Sequence, residues 1–218
     1  MKRYIVRRVA PASLARMDFS VAEEGFIDCV RPESSEHHPQ VEFRLLHDAQ
    51  AFYLAFKVYD RYVRVAHAGF QSKVYLDSCV EFFVKPFADR GYFNFEMNAG
   101  GSLLLTYIED PTRLPEGGFA TYRPVAEDWC DNVSILTSLP PRVDPERSEP
   151  TTWHLRCRIP FALFDAYVGP VVREAATWHA NFYKCGDETS HPHWLSWSPV
   201  TGALNFHQPA CFGLLTLE

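Results

Sequence analysis

The chain lacks several features that would assign it at once to a common class of protein. It has no apolar run long enough for a signal peptide or a membrane span, and its N-terminal segment MKRYIVRRVAPASLARMDFS alternates charge with single apolar residues. Lys and Arg number 21 against 27 Asp and Glu, giving a net charge of −6, and no stretch concentrates the basic residues. We therefore expect a cytoplasmic protein with no membrane or nucleic-acid partner.

The cysteines lack any paired spacing. There are six, with no CxxC motif among them: Cys29, Cys79, Cys130, Cys157, Cys185 and Cys211. Without a secretory signal, we expect reduced thiols rather than a disulfide framework. A GxSxG elbow is also missing, and the cysteines fall mostly at strand positions, where a thiol behaves as a small apolar side chain. These absences argue against a nucleophilic enzyme.

What the chain does have is a high share of aromatic residues, 15%, arranged in period-two runs. Nine runs predict strands, at residues 41–46, 52–60, 79–86, 92–98, 102–109, 133–139, 152–160, 178–185 and 212–218. One short helix is predicted at PFALFDAYVG, with Pro160 at its start and Gly169 at its end. The segment 139–152, rich in Pro and charge, is expected to be a flexible insertion.

This pattern predicts one domain over residues 1–218, of the all-β class. Many short strands with hairpin-length connections favour an antiparallel β-sandwich with one or two short helices, and a barrel is the nearest alternative. No βαβ rhythm, internal repeat or low-complexity segment is visible in the sequence. The oligomeric state stays open.

Two neighbouring predicted strands each carry polar residues on one face. Alternation places Glu81 opposite Val80 and Phe82, and it places Glu96 and Asn98 together on one side of the next strand. If the two strands pair as a hairpin, these polar side chains share a surface. Carboxylates and amides bind sugar hydroxyls in pairs, and an aromatic ring stacks on the apolar face of a sugar. With Tyr75 nearby, the pattern favours a saccharide ligand.

A catalytic role for the same carboxylates is the first alternative. Glycoside hydrolysis needs two carboxyl groups several ångströms apart, and Glu81 and Glu96 could form that pair in a hydrolase acting on O-glycosyl bonds. The sequence does not supply their separation. Carboxylates on a sheet face more often bind a ligand or solvate a surface, so the residues favour a binding protein over an enzyme.

Metal and haem sites form the second alternative. Cys185, Asp187, His191 and His193 are potential ligands, but their spacing matches no usual zinc motif. A calcium ion would use Asp60 or Asp187, although no calcium-loop pattern is present. Met97 and the nine His are potential haem ligands, although Met97 shares its strand face with phenylalanines. We expect no cofactor, with calcium as the exception left open.

Six blocks of the chain resemble the successive blocks of family 9 carbohydrate-binding modules. They are AFYLAFKVYDRYVR, YLDSCVEFFVKPFADRGYFNFEMNAGGSLL, WHLRCRIPFALF, WHANFYKCGD, HWLSWSPV and NFHQPACFGLLTL, and the similarity covers about residues 26–218. The resemblance implies a jelly-roll or immunoglobulin-like β-sandwich of the DOMON-like type. It also implies non-catalytic binding of sugar chain ends, in the catabolism of xylan- or cellulose-type polysaccharides and oligosaccharides. A haem- or metal-binding DOMON-like domain remains an alternative.

The resemblance also implies which residues bind the ligand. Carried over by position, they are Tyr75, Glu81, Glu96, Asn98 and Asn181, with a second stacking aromatic at Trp194, Trp197 or Tyr183. Because Trp194 and Trp197 are three residues apart on an extended segment, they point to opposite sides and one of them is expected in the core. Tyr75 stands where the family typically has Trp, and Glu96 stands where a basic residue can occur. Both departures leave the identity of the sugar open.

Overall fold

The computed structural model describes residues 1–218, with every side chain except that of Cys130. The described chain forms 16 β-strands: β1 (Arg3–Arg8), β2 (Gly25–Phe26), β3 (Cys29–Val30), β4 (Gln40–His47), β5 (Ala51–Asp60), β6 (Val63–Val65), β7 (Cys79–Lys85), β8 (Tyr92–Asn98), β9 (Leu103–Arg113), β10 (Phe119–Pro124), β11 (Ser134–Thr137), β12 (Val143–Arg147), β13 (Thr151–Pro160), β14 (Ala176–Cys185), β15 (Trp194–Ser196) and β16 (Gly213–Leu217). Each of the nine strands predicted from period-two alternation is present, which confirms those predictions.

Helical structure is short. One α-helix, α1 (Phe161–Val168), follows Pro160 and ends at Gly169, whose positive φ of 74° suits glycine at a helix C-terminus. This confirms the predicted helix. Single turns of 3₁₀ helix lie at Leu14–Arg16, Phe19–Val21, Val74–Leu76 and Pro209–Cys211, with a longer one at Glu127–Asn132. Among the described residues, no helix has the length and apolar character to cross a bilayer.

Most of the strands build two large sheets that share β1, and β6 and β12 form a separate two-stranded sheet. The front sheet has the order β10-β9-β8-β7-β14-β16-β1, and the back sheet has the order β1-β4-β5-β13-β11. Arg3–Val6 of β1 pair with β16, and Arg7 and Arg8 then pair with β4. Both of these pairings are parallel, whereas the other described strand pairs are antiparallel. The expected β-sandwich is therefore confirmed, with a parallel strand at the junction.

Seven strands were not predicted, namely β2, β3, β6, β10 and β15 together with β1 and β12. The strand β1 was missed because RYIVRR carries three arginines, and only Tyr4 and Val6 of the strand are buried. The segment 139–152 is not a loose insertion. Its residues Val143–Arg147 form β12, which pairs with β6, and Val143 is buried. Tertiary pairing with β6 therefore orders a segment whose composition favours a loop.

The core lies between the sheets and is dominated by aromatic rings. Phe43 on the back sheet stacks on Phe182 on the front sheet, with ring centroids 3.8 Å apart. Trp197 packs edge-on against both rings, at 5.9 and 5.7 Å, and is 4% exposed. Gly213 makes room for it, since a Cβ there would lie 2.4 Å from the indole. Trp197 is therefore a core residue, which corrects its prediction as a ligand-binding aromatic.

Met97 is also a core residue. It is fully buried among the apolar side chains between the two sheets, on the inner face of β8. A thioether in this position packs against neighbouring rings and is not presented to a cofactor on the surface. Met97 is therefore not available as an axial haem ligand.

A buried ion network ties the two sheets together near the end of β14. Lys184 Nζ lies 3.5 Å from Asp60 Oδ2 on β5 and 2.6 Å from His193 Nε2. His37 Nε2 lies 2.8 Å from Asp60 Oδ1, and the Trp153 indole donates to Oδ2. Burial alone would raise the pKa of Asp60, but the ammonium and the bond to His37 outweigh it and hold the pKa well below its usual range.

Replacement of Lys184 by Met should destabilise the fold strongly. The change leaves the Asp60 carboxylate buried without its cation, a situation that typically costs about 3 to 5 kcal/mol. Lys57→Met is the matched control, because Lys57 lies on β5 with its ammonium above the ring of Tyr59 and no buried carboxylate as partner. Urea denaturation measures both. Equal losses in the two variants would contradict the role assigned to the network.

Candidate functional site

The outer face of the front sheet carries the polar row that alternation predicts. Glu81 on β7 lies directly opposite Glu96 on β8, and Phe83 lies opposite Asn94. Glu81 and Glu96 are 3% and 5% exposed, and Asn94 Nδ2 donates to Glu96 Oε1 at 2.7 Å. The inner faces of the same strands point into the sandwich core. This confirms that the two glutamates share one surface, opposite the core.

This surface is the floor of a cavity of about 670 Å³. The 3₁₀ turn before β7, the chain after β14, the hairpin of β9 and β10, and residues 203–207 form its walls. The residues with polar or aromatic side chains that line it are Tyr75, Glu81, Asn94, Glu96, Thr106, Arg113, Phe119, Tyr122, Cys185, Asp187, Trp194, Asn205, Phe206 and His207. The cavity therefore combines carboxyl groups with several aromatic side chains.

Two half-buried aromatic residues, Tyr75 and Trp194, form part of the wall. The Trp194 indole donates to Asp187 Oδ1 at 2.7 Å, which fixes the orientation of its ring. The backbone carbonyl of Tyr75 accepts a hydrogen bond from the Asp187 amide, and the Cys185 sulfur lies 3.6 Å from the same oxygen. Both aromatic residues are thus hydrogen-bonded to Asp187, Trp194 through its indole and Tyr75 through its backbone carbonyl. Their apolar faces suit stacking against the CH face of a pyranose.

The carboxyl groups of the cavity have raised pKa values. Burial raises the pKa of Glu96 to about 7 and that of Asp187 to about 6. Burial, followed by the neighbouring Cys185 and Glu96, raises the pKa of Glu81 well above its usual range. Among the described side chains, only the Cys185 thiol donates to Glu81, and none of the three carboxylates forms a salt bridge. A carboxylate buried without a cation favours its neutral form.

The basic groups of the cavity compensate these carboxyls only in part, because the charge of Arg113 acts to lower the pKa of Glu96 but burial outweighs it. Arg113 lies with its guanidinium 4.1 Å from the ring centroid of Phe119, and it pairs with no carboxylate of the described residues. His207 Nδ1 lies 2.9 Å from the Tyr92 hydroxyl, and burial lowers the pKa of His207 to about 3. The imidazole is therefore neutral near pH 7. The cavity holds three carboxyls and one permanent cation.

Three residues predicted to bind the ligand serve the fold instead. Asn98 donates to Asp77 Oδ2 and to the His67 carbonyl, so its amide holds a neighbouring loop. Asn181 exchanges two hydrogen bonds with the backbone of Ser198, at 2.8 and 2.9 Å. Both amides are fully buried outside the cavity wall. Their prediction as ligand-binding residues is corrected, because their polar atoms are already used by the backbone.

Tyr183 is the third of these residues. Its hydroxyl donates to the Phe206 carbonyl at 3.0 Å, and its ring stacks on Phe206 with centroids 4.2 Å apart. Tyr183 therefore lies beneath the cavity wall formed by residues 203–207 and supports it. The prediction of Tyr183 as the second stacking aromatic is corrected, which leaves Trp194 as the candidate that lines the cavity.

The four potential metal ligands of the segment after β14 do not converge. The Cys185 thiol points to Glu81, and Asp187 accepts from Trp194. His193 accepts from Lys184, and His191 stacks on the ring of Tyr62, 3.7 Å away. A different described group brings metal-ligating atoms together: Cys79, Glu81 and Cys185, within 4.8 Å of one another and all buried.

The two aspartates considered for calcium are engaged elsewhere. Asp60 faces the Lys184 ammonium, an imidazole and an indole N–H, so its surroundings supply a positive charge and nitrogen donors. Calcium prefers six to eight oxygen ligands. Asp187 lines the cavity with one oxygen bound to the Trp194 indole. The surroundings of Asp60 therefore do not fit a calcium site.

Several cavity residues were missed by the sequence interpretation, above all Arg113 and the hairpin that carries it. The predicted strand ended at residue 109, whereas β9 continues to Arg113 and pairs with β10. The signal was present in the sequence, since Gly117-Gly118 between two runs of β-type residues is typical of a hairpin turn. Both glycines have positive φ, 98° and 77°. Residues 203–207 carried no periodic signal.

Comparison with known families and structures places the chain among carbohydrate-binding modules. The model of carbohydrate-binding family 9 matches residues 12–217. A candidate carbohydrate-binding protein from Bacteroides uniformis is 31% identical, with a TM-score of 0.87; the match covers 100% of this chain and 99% of that one. A search of the curated proteins gave no match.

A more distant likeness concerns the fold. A family 9 module from Caldicellulosiruptor kristjanssonii, solved in complex with glucose and with cellotriose, is 17% identical, with a TM-score of 0.66 for each complex. The matches cover 100% of this chain and 96% and 94% of those chains. At 17% sequence identity, this structural similarity shows that the two proteins share the β-sandwich fold.

Replacement of Glu96 by Gln should make stability less dependent on pH. A carboxyl whose pKa is higher in the folded protein than in the unfolded chain binds more protons when folded, so its contribution to stability falls as pH rises through that interval. We expect Glu96→Gln to gain stability relative to wild type between about pH 5 and about pH 8. Thermal unfolding at several pH values measures this change.

Glu188→Gln is the matched control for this experiment. Glu188 is two residues from the cavity residue Asp187, but its exposed carboxylate pairs with Arg64. Its replacement should leave the difference from wild type constant across the same pH range. The assignment would be contradicted by parallel pH profiles for wild type and Glu96→Gln.

Proposed function

Because the chain belongs to carbohydrate-binding family 9, we propose that its cavity binds a saccharide without cleaving it. The observation that carries this proposal is the composition of the cavity, in which Tyr75 and Trp194 line the wall above a floor that includes Glu81 and Glu96. A pyranose ring offers an apolar CH face to the aromatic rings and hydroxyls to the carboxyls. The ligand is thus held by stacking and by hydrogen bonds.

The ligand is proposed to enter as the terminal unit of a chain. The cavity is a pocket in one face of the sheet, walled by loops on several sides, so it suits the end of an oligosaccharide. Glucose and cellotriose bound to the Caldicellulosiruptor kristjanssonii module are ligands of this size class. A pocket of this kind with few direct contacts should give affinities of about micromolar to millimolar.

The roles of the carboxyls follow from their protonation. A neutral Glu81 or Glu96 donates one hydrogen bond and accepts others, whereas the ionised group only accepts. Near neutral pH a pKa of about 7 leaves both forms of Glu96 accessible, so this carboxyl can both donate to and accept from sugar hydroxyls. Asn94, bonded to Glu96, holds that carboxyl in place. No catalytic step is required of either group.

Removal of either aromatic side chain should weaken saccharide binding. We expect Tyr75→Ala and Trp194→Ala each to lose about 1 kcal/mol or more of binding free energy, roughly fivefold in affinity. Isothermal titration calorimetry with neutral, N-acetylated and amino saccharides, as monomers and dimers, measures the loss. Tyr59→Ala is the control, because Tyr59 is an exposed tyrosine of the back sheet, outside the cavity. If the folded wild type binds no saccharide of the panel, the proposed function is wrong.

A further inference from the structure

The balance of charge in the cavity indicates the class of sugar. Glu81 and Glu96 lie directly opposite each other on adjacent strands, and Asp187 lines the same cavity from the chain after β14. Like charges at directly opposite positions of a sheet repel each other. The fold nevertheless places these carboxyls together, with Glu81 and Glu96 buried and Asp187 partly buried, and no cation of the described residues is bonded to any of them.

The neighbouring cations are directed elsewhere. The Lys184 ammonium is on the opposite face of β14, where it bonds to His193 and lies near Asp60. The guanidinium of Arg113 lies over Phe119. Arg113 and Lys184 act on Glu96 and Asp187 from a distance, but no described cation forms an ion pair with a carboxyl of the cavity, and a cationic group of the ligand would supply that pair.

Glu81 shows this lack most clearly. The side chain is 3% exposed and lines the cavity, and its one described hydrogen bond comes from a thiol, which is a weak donor. Buried carboxylates in folded proteins normally have strong donors or a cation as partners. The free carboxylate oxygen of Glu81 is thus a site for a donor from the ligand, beside the carboxyl of Glu96.

We propose that the cavity prefers a saccharide with a free ammonium group, such as a 2-amino-2-deoxyhexose, over its neutral counterparts. This inference rests on the proposed function and specifies its ligand. An ammonium group donates three hydrogen bonds and supplies the missing charge, whereas a hydroxyl donates only one. The rings of Tyr75 and Trp194 stack on the same pyranose face whether the sugar carries an amino group or a hydroxyl group. The amino group therefore sets the difference in affinity between otherwise similar sugars.

Release of protons on binding should accompany this preference. The ionisable groups that face Glu96 in the cavity are Tyr75, Glu81, Arg113, Asp187, Cys185 and His207. The raised pKa values of the carboxyls indicate that the empty cavity retains protons near neutral pH. A cationic ligand favours the ionised forms and displaces those protons. Calorimetry in buffers of different ionisation enthalpy detects the release.

The decisive test compares two disaccharides that differ only at C2, cellobiose and the fully deacetylated chitosan disaccharide, with N,N′-diacetylchitobiose as a third ligand. Calorimetry at a pH where the amines are protonated should give at least a tenfold higher affinity for the deacetylated disaccharide. Ammonium chloride at the same concentration controls for a bare cation. Glu96→Gln should reduce the affinity ratio of the amino to the neutral disaccharide severalfold, whereas Glu188→Gln should leave the ratio unchanged.

The outcomes separate the two proposals. If cellobiose or the acetylated disaccharide binds as tightly as the amino disaccharide, the preference for an ammonium group is overturned and saccharide binding stands. An unchanged ratio in Glu96→Gln would overturn the assignment of the preference to this carboxyl pair. If folded wild type binds none of the three ligands or any other saccharide of the panel, the proposed function fails and the inference fails with it.

Discussion

The burial of both faces of the central front-sheet strands is the constraint on which the rest of the structure depends. In β7 and β8, Val80, Phe82 and Phe95 point into the sandwich core, and Glu81 and Glu96 point into the cavity. Because side chains alternate strictly along a strand, a shift of one residue in register would put carboxyls into the aromatic core. The packing of the core therefore fixes which residues face the ligand, to the level of single positions.

The two buried charge systems of the protein are built in opposite ways. Lys184 and Asp60 neutralise each other within the fold, with imidazole and indole groups satisfying the remaining polar atoms. The pair Glu81 and Glu96 has no bonded cation, and its described donors are the Cys185 thiol and the Asn94 amide, so burial costs free energy unless the carboxyls retain protons. The first arrangement stabilises the contact between the front and back sheets near the end of β14. The second keeps carboxyl groups without a bonded cation in a pocket, as expected of a site completed by its ligand.

The walls of the cavity are held by residues that never reach it. Asn98 joins the loop that precedes β7 to the sheet, Asn181 binds the backbone at Ser198, and Tyr183 supports residues 203–207 from below. These buried amides and the phenol satisfy backbone groups that would otherwise lack partners. Polar residues on strands close to a site can thus be needed for its shape without touching its ligand.

By itself, the sequence determined nine of the strands, the helix, the sandwich class and the shared face of Glu81 and Glu96, because period-two alternation is a local property that backbone geometry converts directly into a face. Only the tertiary structure decided that Trp197 belongs to the core and Trp194 to the cavity, and that Asn98 and Asn181 are bound by backbone groups. It also brought Arg113 and residues 203–207 to the wall, and formed β12 from a segment with loop composition. Such assignments depend on contacts between residues distant in the chain, and a local pattern carries no information about those partners.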